Sequence, residues 1–210
     1  MPIKYQLFDQ LNAQIVSELH DRRLLDRNWA ASQTNPLLSL IQKNHFFNTS
    51  LWEEEDLARR INVPDGEIAT NKRNIDAFNQ KRNDMIELID QEILNELSSA
   101  INDRALLHSE TAGAIVDRLS ILSLKIHHMR IQTERGDVDQ EHLKKCSNKL
   151  EILKIQRGDL ASCFDRLITN CREGRVFFKI YRQYKMYNDP TLNPWLYLKG
   201  GKSGNSTPSL

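Results

Sequence analysis

The sequence predicts an all-α protein, a helical bundle of about five to six helices. Glycine and proline, the residues that most often interrupt helices, number only 8 and 6 among 210 residues. Apolar residues recur at intervals of three and four over long stretches, which is the period of an amphipathic helix. A convincing strand alternation of apolar and polar residues is not evident. We therefore expect helix almost throughout the chain.

The breaks between the predicted helices have local causes. Asn35-Pro36 restarts the chain after a polar segment, and Asp65 can cap the helix that follows it. Gly136-Asp137 ends one helix and begins another in the same manner. The predicted helices are 5–28, 35–61, 65–100, 111–135, 138–173 and, as the sixth, 174–187.

The C-terminal segment 185–197 combines two prolines with several apolar and aromatic side chains. Proline argues against continued helix, and the apolar area is larger than a free tail normally carries. We predict an ordered strap that docks on the bundle through its end, Trp195 to Tyr197. Residues 200–210 have the composition of a flexible tail. The chain is thus predicted to contain a single helical-bundle domain, 1–199, and a disordered tail.

The composition excludes several classes of protein. The 29 basic and 28 acidic residues nearly cancel, so binding to nucleic acid through net charge is not expected. The N-terminus lacks an apolar signal core, and no run approaches the roughly 18 apolar residues of a membrane span, so we expect a cytoplasmic protein. The three cysteines and six histidines show neither a CxxC spacing nor a Glu-x-x-His pair. A homo-oligomer is compatible with this composition.

A polar row lies beside the apolar face of the helix predicted over 65–100. At 100° per residue its members fall on one continuous stripe along the helix. They are mostly carboxylates and carboxamides, which suit cations and hydrogen bonds. The row consists of Lys72, Asp76, Asn79, Gln80, Asn83, Glu87 and Asp90. We predict a ligand site along this stripe.

Arg157 occupies a core position in the apolar pattern of the helix predicted over 138–173. A guanidinium at such a position needs a partner, because breaking a buried ion pair costs about 3 to 5 kcal/mol. We expect an acid on helix 65–100 or in segment 52–60 to be that partner. In the alternative, the helix is rotated by 100° and Arg157 extends outward to solvent.

Two further cations, Arg118 and Lys125, flank the core face of the helix predicted over 111–135. With Lys72 and Arg157 they could line a cleft whose other wall is the polar row. They could also be amphipathic side chains that cover the edge of the apolar surface. The sequence leaves both interpretations open.

Acidic pairs provide the predicted metal ligands. Segment 51–60 contains four consecutive acids, of which Glu55 and Asp56 share one sector of the helix. Glu-x-x-Asp pairs occur at Glu53/Asp56 and at Glu87/Asp90. Such a spacing places two carboxylates on one helical face, as a hard cation like Mg²⁺ requires. If a metal is bound, we expect Glu55 or Asp56 and Glu87 or Asp90 to converge on one pocket.

Four motifs of unusual polar composition resemble a known family. They are TSLWEEEDLARR, KRNIDAFNQKRNDMIELID, SETAGAIVDRLSILSLKI and KMYNDPTLNP. Between about residues 40 and 197 the chain is similar to the bacterial domain of unknown function family 4254, DUF4254. The resemblance implies a bacterial, all-helical, cytoplasmic protein with no established activity. That family often has His where this chain has Glu53, which leaves Glu55 and Asp56 as the better metal ligands.

A looser resemblance concerns all-helical nucleotide pyrophosphatases of the MazG type, whose acidic pairs on adjacent helices bind Mg²⁺. Here the first motif is imperfect, because Ala58 stands where an acid is expected. The cations that would suit phosphate oxygens are Lys72, Arg82, Arg118, Lys125 and Arg157. We predict a bundle that binds an anionic, phosphorylated small molecule or has a structural role. The alternative is a Mg²⁺-dependent, pyrophosphatase-like hydrolase, and the sequence does not decide whether a reaction is catalysed.

Overall fold

A computed structural model describes residues 11–26, 35–97, 103–183, 186 and 189–197, and most of them are helical. The helices are α1 (Ala13–Leu25), α2 (Pro36–Leu57), α3 (Asp65–Leu97), α4 (Ala112–Thr133), α5 (Gln140–Arg172) and the short α6 (Pro194–Tyr197). The predicted all-α class is confirmed. The parts of the predicted helices at 5–10, 27–28 and 98–100 lie outside the described residues.

Side-chain caps explain where four of the helices begin. Asn12, Asn35 and Thr111 accept hydrogen bonds from the backbone N–H groups three residues later, which stabilises the first turns of α1, α2 and α4. Asp139 does the same for α5, at 2.7 Å from the nitrogen of His142. The cap of α5 is therefore Asp139 and not the predicted Asp137. Asp65, predicted as a cap, is instead the first residue of α3.

Two antiparallel helical hairpins, α2–α3 and α4–α5, build the bundle, and α1 packs against α2, α4 and α5. Apolar side chains from all five long helices meet in one core. Its fully buried members include Val16, Ile41, Ile89, Ile93, Val116, Leu119, Phe164 and Ile168. None of the helices in the described part of the chain combines the length and apolar character needed to cross a membrane.

The prediction of a helix over 174–187 is wrong for residues 174–183, which are not helical. Gly174 has a φ of 67°, a left-handed conformation that ends α5. The chain then forms strand β2 (Val176–Phe177), which pairs in parallel with β1 (Leu106–Leu107). The N–H of Leu106 donates to Arg175 at 2.9 Å, and the N–H of His108 donates to Phe177 at 2.7 Å. This pair joins the segment after α3 to the segment after α5.

Residues 181–210 form a second compact unit, separate from the unit of residues 1–180. Within it, the carboxylate of Asp189 accepts hydrogen bonds from the backbone N–H and the hydroxyl of Thr191, at 2.7 and 2.6 Å. This turn precedes α6. Docking of the predicted strap on the bundle stays a prediction, and the predicted tail, 200–210, lies outside the described residues.

Candidate functional site

A buried polar network connects α2 to α4. The side chains of Leu37, Ile41, Asn44, Asn48 and Leu51 are all buried, at the alternating spacing of four and three that one helix face requires. Two of these core positions are therefore amides. Both amides donate to Oδ1 of Asp117, Asn44 at 2.9 Å and Asn48 at 2.8 Å, and Asp117 is only 7% exposed. The buried carboxylate thus accepts hydrogen bonds from uncharged donors, and Nε of Arg82 lies 4.0 Å from the same oxygen.

Two stacked histidines extend this network toward α1. The ring of His20 lies 4.6 Å from that of His45, and Nδ1 of His45 is 2.7 Å from the hydroxyl of Ser120. Burial lowers the pKa of His45 to about 3, and burial followed by repulsion from His45 lowers the pKa of His20 well below its usual value. Neither ring nitrogen of His20 has a hydrogen-bond partner among the described residues. Both rings are therefore neutral at physiological pH.

Arg157 lies at the α1 side of the network. Its Nη1 atom donates to both carboxylate oxygens of Asp21, at 2.8 and 2.9 Å, and lies 3.4 Å from the hydroxyl of Ser123. An ion pair is formed, but the predicted location of the partner, on helix 65–100 or in segment 52–60, is wrong. The reason is that α1 packs against α5, a long-range contact that the apolar spacing of a single helix does not encode.

An open cleft of about 330 Å³ borders the network between α2, α3 and α4, and we call it the Arg82 cleft. Its lining residues are Asn48, Leu51, Trp52, Glu55, Asp56, Arg59, Asn79, Arg82, Ile121 and Leu124. Nη2 of Arg82 donates to Asn83 at 3.2 Å, whereas Nε lies 4.0 Å from Oδ1 of Asp117, beyond hydrogen-bonding distance. Nε is buried and has no hydrogen-bond partner in the described part of the chain.

The two acids of the Arg82 cleft differ in their surroundings. Glu55 accepts from Arg59 at 2.8 Å and lies 3.8 Å from Nζ of Lys72, so its charge is balanced by two cations. Asp56 is exposed and forms no ion pair with any described residue. Glu54 accepts from Asn71 and Asn74 and ties α2 to α3.

Two more cavities adjoin the Arg82 cleft. The larger, of about 530 Å³, lies between α2, α4 and α5, and we call it the apolar cavity. The smaller, of about 120 Å³, lies between α2, α4 and the end of α1. Trp52 and Asp56 line all three concavities. The indole of Trp52 stacks on the ring of His128, with centroids 4.4 Å apart and planes 4° from parallel, and this contact fixes the indole at their junction.

The predicted ligand residues are dispersed over the bundle. Asn79 lines the Arg82 cleft, and Asn83 is buried beside Arg82. Lys125 instead lines the apolar cavity. Lys72 is exposed next to Glu55, outside the lining of the three concavities.

The remaining predicted ligand residues lie elsewhere. Asp76 is exposed on α3 and lines none of the three concavities described above. Arg118 forms an ion pair of 2.6 Å with Glu110, before the start of α4. Arg157 is held by Asp21. A single cleft lined by all of these cations is therefore not what the fold builds.

The two predicted metal pairs also lie apart. Glu55 of α2 lies next to Lys72 of α3. Asp90 lies 18 residues after Lys72 on α3, about 27 Å away at 1.5 Å per residue. The antiparallel hairpin brings the end of α2 to the start of α3, and so away from Glu87 and Asp90. The acids of α2 and those of α3 therefore do not form the shared pocket that we predicted. Among the described residues, no three His, Cys, Asp or Glu side chains are grouped to hold a metal ion.

Asp90 instead forms a buried hydrogen bond that joins α3 to α4. It is 2% exposed, and its Oδ1 accepts from the backbone N–H of Gly113 at 2.6 Å, in the first turn of α4. Burial raises the pKa of Asp90 to about 6, and the charge of Glu87 acts in the same direction. Hydrogen bonds from Thr111 and Gly113 partly oppose this rise.

The sequence interpretation missed the polar network. Asn44, Asn48 and Asp117 stand at core positions in the same way as Arg157, and the same test of apolar spacing would have identified the two amides. His20 likewise follows Ala13 and Val16 at core spacing in α1. The six histidines are scattered in the sequence, so their spacing alone indicates no site.

The family can be assigned from sequence. A family described as "Protein of unknown function (DUF4254)" matches residues 38–180, which is more than half of the chain. The chain belongs to the DUF4254 family. No curated protein matches this DUF4254 chain, and no solved structure does. The matched region includes α2 to α5, and hence the polar network apart from His20, the Arg82 cleft and the apolar cavity.

Proposed function

We propose that this DUF4254 protein binds an anionic, phosphorylated small molecule in the Arg82 cleft. The observation that carries the proposal is the incomplete use of the guanidinium of Arg82. Within the described residues it donates one hydrogen bond, to Asn83, while its side chain is 26% exposed to the cleft. A guanidinium with free N–H groups in a concave site suits the oxygens of phosphate.

The other side chains of the Arg82 cleft support a ligand with both polar and flat parts. The amides of Asn48 and Asn79 offer donors and acceptors, and Trp52 offers an aromatic face. Arg59 and Lys72 offset the charge of Glu55. Asp56 is the one lining acid without such an offset, and it would repel an anion. Among the predicted ligand residues, Asn79 would contact the ligand and Asn83 would position Arg82.

A structural role for the polar groups is the second candidate. Asn44, Asn48 and Asp117 satisfy one another inside the bundle, which supports a role in fixing the register of α2 against α4. The Mg²⁺-dependent alternative has less support, because Glu55 and Asp56 lie far from Glu87 and Asp90. Under it, Glu55 and Asp56 alone would hold the ion.

The proposal is tested by calorimetric titration with inorganic pyrophosphate. We expect saturable binding to the wild type, and Arg82→Gln should weaken it by about tenfold or more, since hydrogen bonds to charged groups are worth ~1.5–3 kcal/mol. Arg73→Gln is the matched control, because Arg73 is an exposed arginine of the same helix outside the cleft. Arg82→Lys keeps the positive charge but not the planar guanidinium. If this variant still binds pyrophosphate, the loss of binding in Arg82→Gln reflects the lost charge and not a loss of fold. Equal affinities of Arg82→Gln and Arg73→Gln would contradict the proposal.

Asp56→Asn separates anion binding from metal chemistry. If the cleft binds the anion directly, removing this exposed carboxylate should strengthen pyrophosphate binding a few fold, because a like charge is removed from the site. If the acids instead hold Mg²⁺, the same variant should weaken Mg²⁺-dependent binding and abolish any release of phosphate from pyrophosphate. Titrations with and without Mg²⁺, together with an assay of free phosphate, distinguish the two results.

A further inference from the structure

The apolar cavity differs in chemistry from the Arg82 cleft. Four of its lining residues are large and apolar, namely Trp52, Met129, Ile152 and Leu153. Ile152 is 55% exposed, so part of this apolar wall is left open to solvent. A volume of about 530 Å³ falls within the range of roughly 300–1,000 Å³ that is typical of small-molecule sites.

Two lysines line this cavity, and neither has an ion-pair partner among the described residues. Lys125 extends from α4 and Lys149 from α5, and both are exposed. Neither forms an ion pair with a carboxylate of the described residues, although α5 carries two paired lysines, Lys145 and Lys154. The lining therefore has two cations against one carboxylate, that of Asp56.

We infer that the apolar cavity binds an amphiphilic monoanion, a molecule with an apolar body and a single carboxylate. The body would lie against Met129, Ile152 and Leu153, where it removes exposed apolar surface from water. The carboxylate would lie between Lys125 and Lys149. Gln132 and Gln156, which also line the cavity, supply amide donors for the same oxygens. The site adjoins the Arg82 cleft, and Trp52 and Asp56 line both, but the residues proposed here to contact the ligand do not line the Arg82 cleft.

The probes are decanoate and its uncharged counterpart 1-decanol, titrated by calorimetry. The wild type should bind decanoate saturably and more tightly than 1-decanol. Lys125→Gln/Lys149→Gln should weaken decanoate binding by roughly two- to thirtyfold and leave 1-decanol binding unchanged, since each partly exposed ion pair contributes modestly. The matched control is Lys43→Gln/Lys144→Gln, which removes two exposed lysines that do not line the cavity.

The apolar wall is tested with a second matched pair. Ile152→Gln should weaken both probes, because it places a polar group at the apolar wall. Ile155→Gln should weaken neither, since Ile155 is 63% exposed on the same helix but does not line the cavity. All six substituted positions are exposed, so the variants should fold, and their thermal melting checks this. Trp52 and Asp56 are left unchanged, so that failure of pyrophosphate binding cannot be confused with failure here.

Three results would overturn the inference. One is the absence of saturable decanoate binding to the wild type up to its solubility limit. Another is a loss of affinity that is no greater in the cavity variants than in their controls. The third is a dimer in sedimentation experiments that Ile152→Gln dissociates and that excludes decanoate, because a second copy of the chain would then cover this surface.

Discussion

At the scale of single residues, the stacked histidines couple the stability of the bundle to pH. Burial lowers the pKa of both His20 and His45, so the folded protein holds them neutral while the unfolded chain protonates them below pH about 6.5. Between this value and about pH 3, where His45 titrates in the fold, the unfolded state binds more protons. The free energy of unfolding therefore falls as the pH falls through this window.

Replacing His20 should reduce the fall in unfolding free energy that accompanies acidification. His20→Leu has a similar volume and no ionisable group, and it breaks no side-chain hydrogen bond to a described residue. A histidine that is neutral in the fold and has the ordinary pKa when unfolded costs about 2 kcal/mol at pH 5. The difference in unfolding free energy between pH 7 and pH 5 should accordingly be about 2 kcal/mol smaller in the variant. Urea denaturation at the two pH values measures it.

The control for this experiment concerns Asp90, whose contribution to the free energy of unfolding depends on pH with the opposite sign. Its pKa is raised to about 6 in the fold, so the folded state binds more protons between about pH 4 and 6. Stability from Asp90 is therefore lost as the pH rises through that window. Measuring His20→Leu in an Asp90→Asn background removes this opposing contribution. A variant whose stability falls as steeply as that of its background would contradict the histidine assignment.

At the scale of helices, α3 and α4 approach each other closely at Gly113. A Cβ atom at this position would lie 2.5 Å from the backbone oxygen of Ile86 and 2.9 Å from Oδ1 of Asp90. A backbone oxygen cannot move without moving the helix. The absence of a side chain at Gly113 is therefore what lets the Asp90 carboxylate reach the first turn of α4.

Gly113→Ala should destabilise the protein by about 1–3 kcal/mol, the usual cost of inserting a methyl group into a tightly packed contact. Gly158→Ala is the matched control, since Gly158 lies within α5 with no atom within 4 Å of an added Cβ. That control should stabilise by ~0.5–1 kcal/mol, because alanine is the better helix former. Thermal unfolding of the two variants measures both effects. Similar melting temperatures for the two variants would show that the helices are not in close contact at Gly113.

The five long helices could be predicted from sequence because each has an apolar face with a regular period. The starts of α2, α4 and α5 lie within two residues of the predicted positions, at the caps Asn35, Thr111 and Asp139, whereas the predicted first helix runs through Asn12, which caps α1. The two-residue strands β1 and β2 could not be predicted, because so short a segment has no period. Partners such as Asp21 and Arg157, 136 positions apart, depend on how helices pack and not on the pattern within either.

At the scale of the whole molecule, the predicted strap offers a test of how the second unit contributes to stability. Truncation after Lys185 removes apolar side chains that include Leu192, Trp195 and Tyr197. If one or two of them are buried on docking, at about 1.5–3 kcal/mol each, the melting temperature should fall by several degrees. Truncation before Gly200 should leave it unchanged. Unchanged melting in both truncated chains would mean that the strap does not dock.

The candidate site could be predicted only in part. The sequence identified α3 as a polar helix and named Asn79 and Arg82, and both line the Arg82 cleft. The row extends along about 27 Å of helix. The sequence could not show that its two ends face different neighbours. A stripe on one helix becomes a site only where another helix closes it. Here α2 does so at the N-terminal half of α3.

The parallel pair of β1 and β2 has a consequence for the order in which the fold comes apart. Leu106 and Val176 are 70 positions apart, and the loop that their pairing closes contains the whole α4–α5 hairpin. Closing so long a loop carries an entropic cost that a few backbone hydrogen bonds barely offset, whereas each helical hairpin closes a short loop over an extensive interface. We therefore expect the β1–β2 pair to require the least free energy to open among the long-range contacts described here. Its release would free the ends of both 33-residue helices at once while each hairpin stays folded.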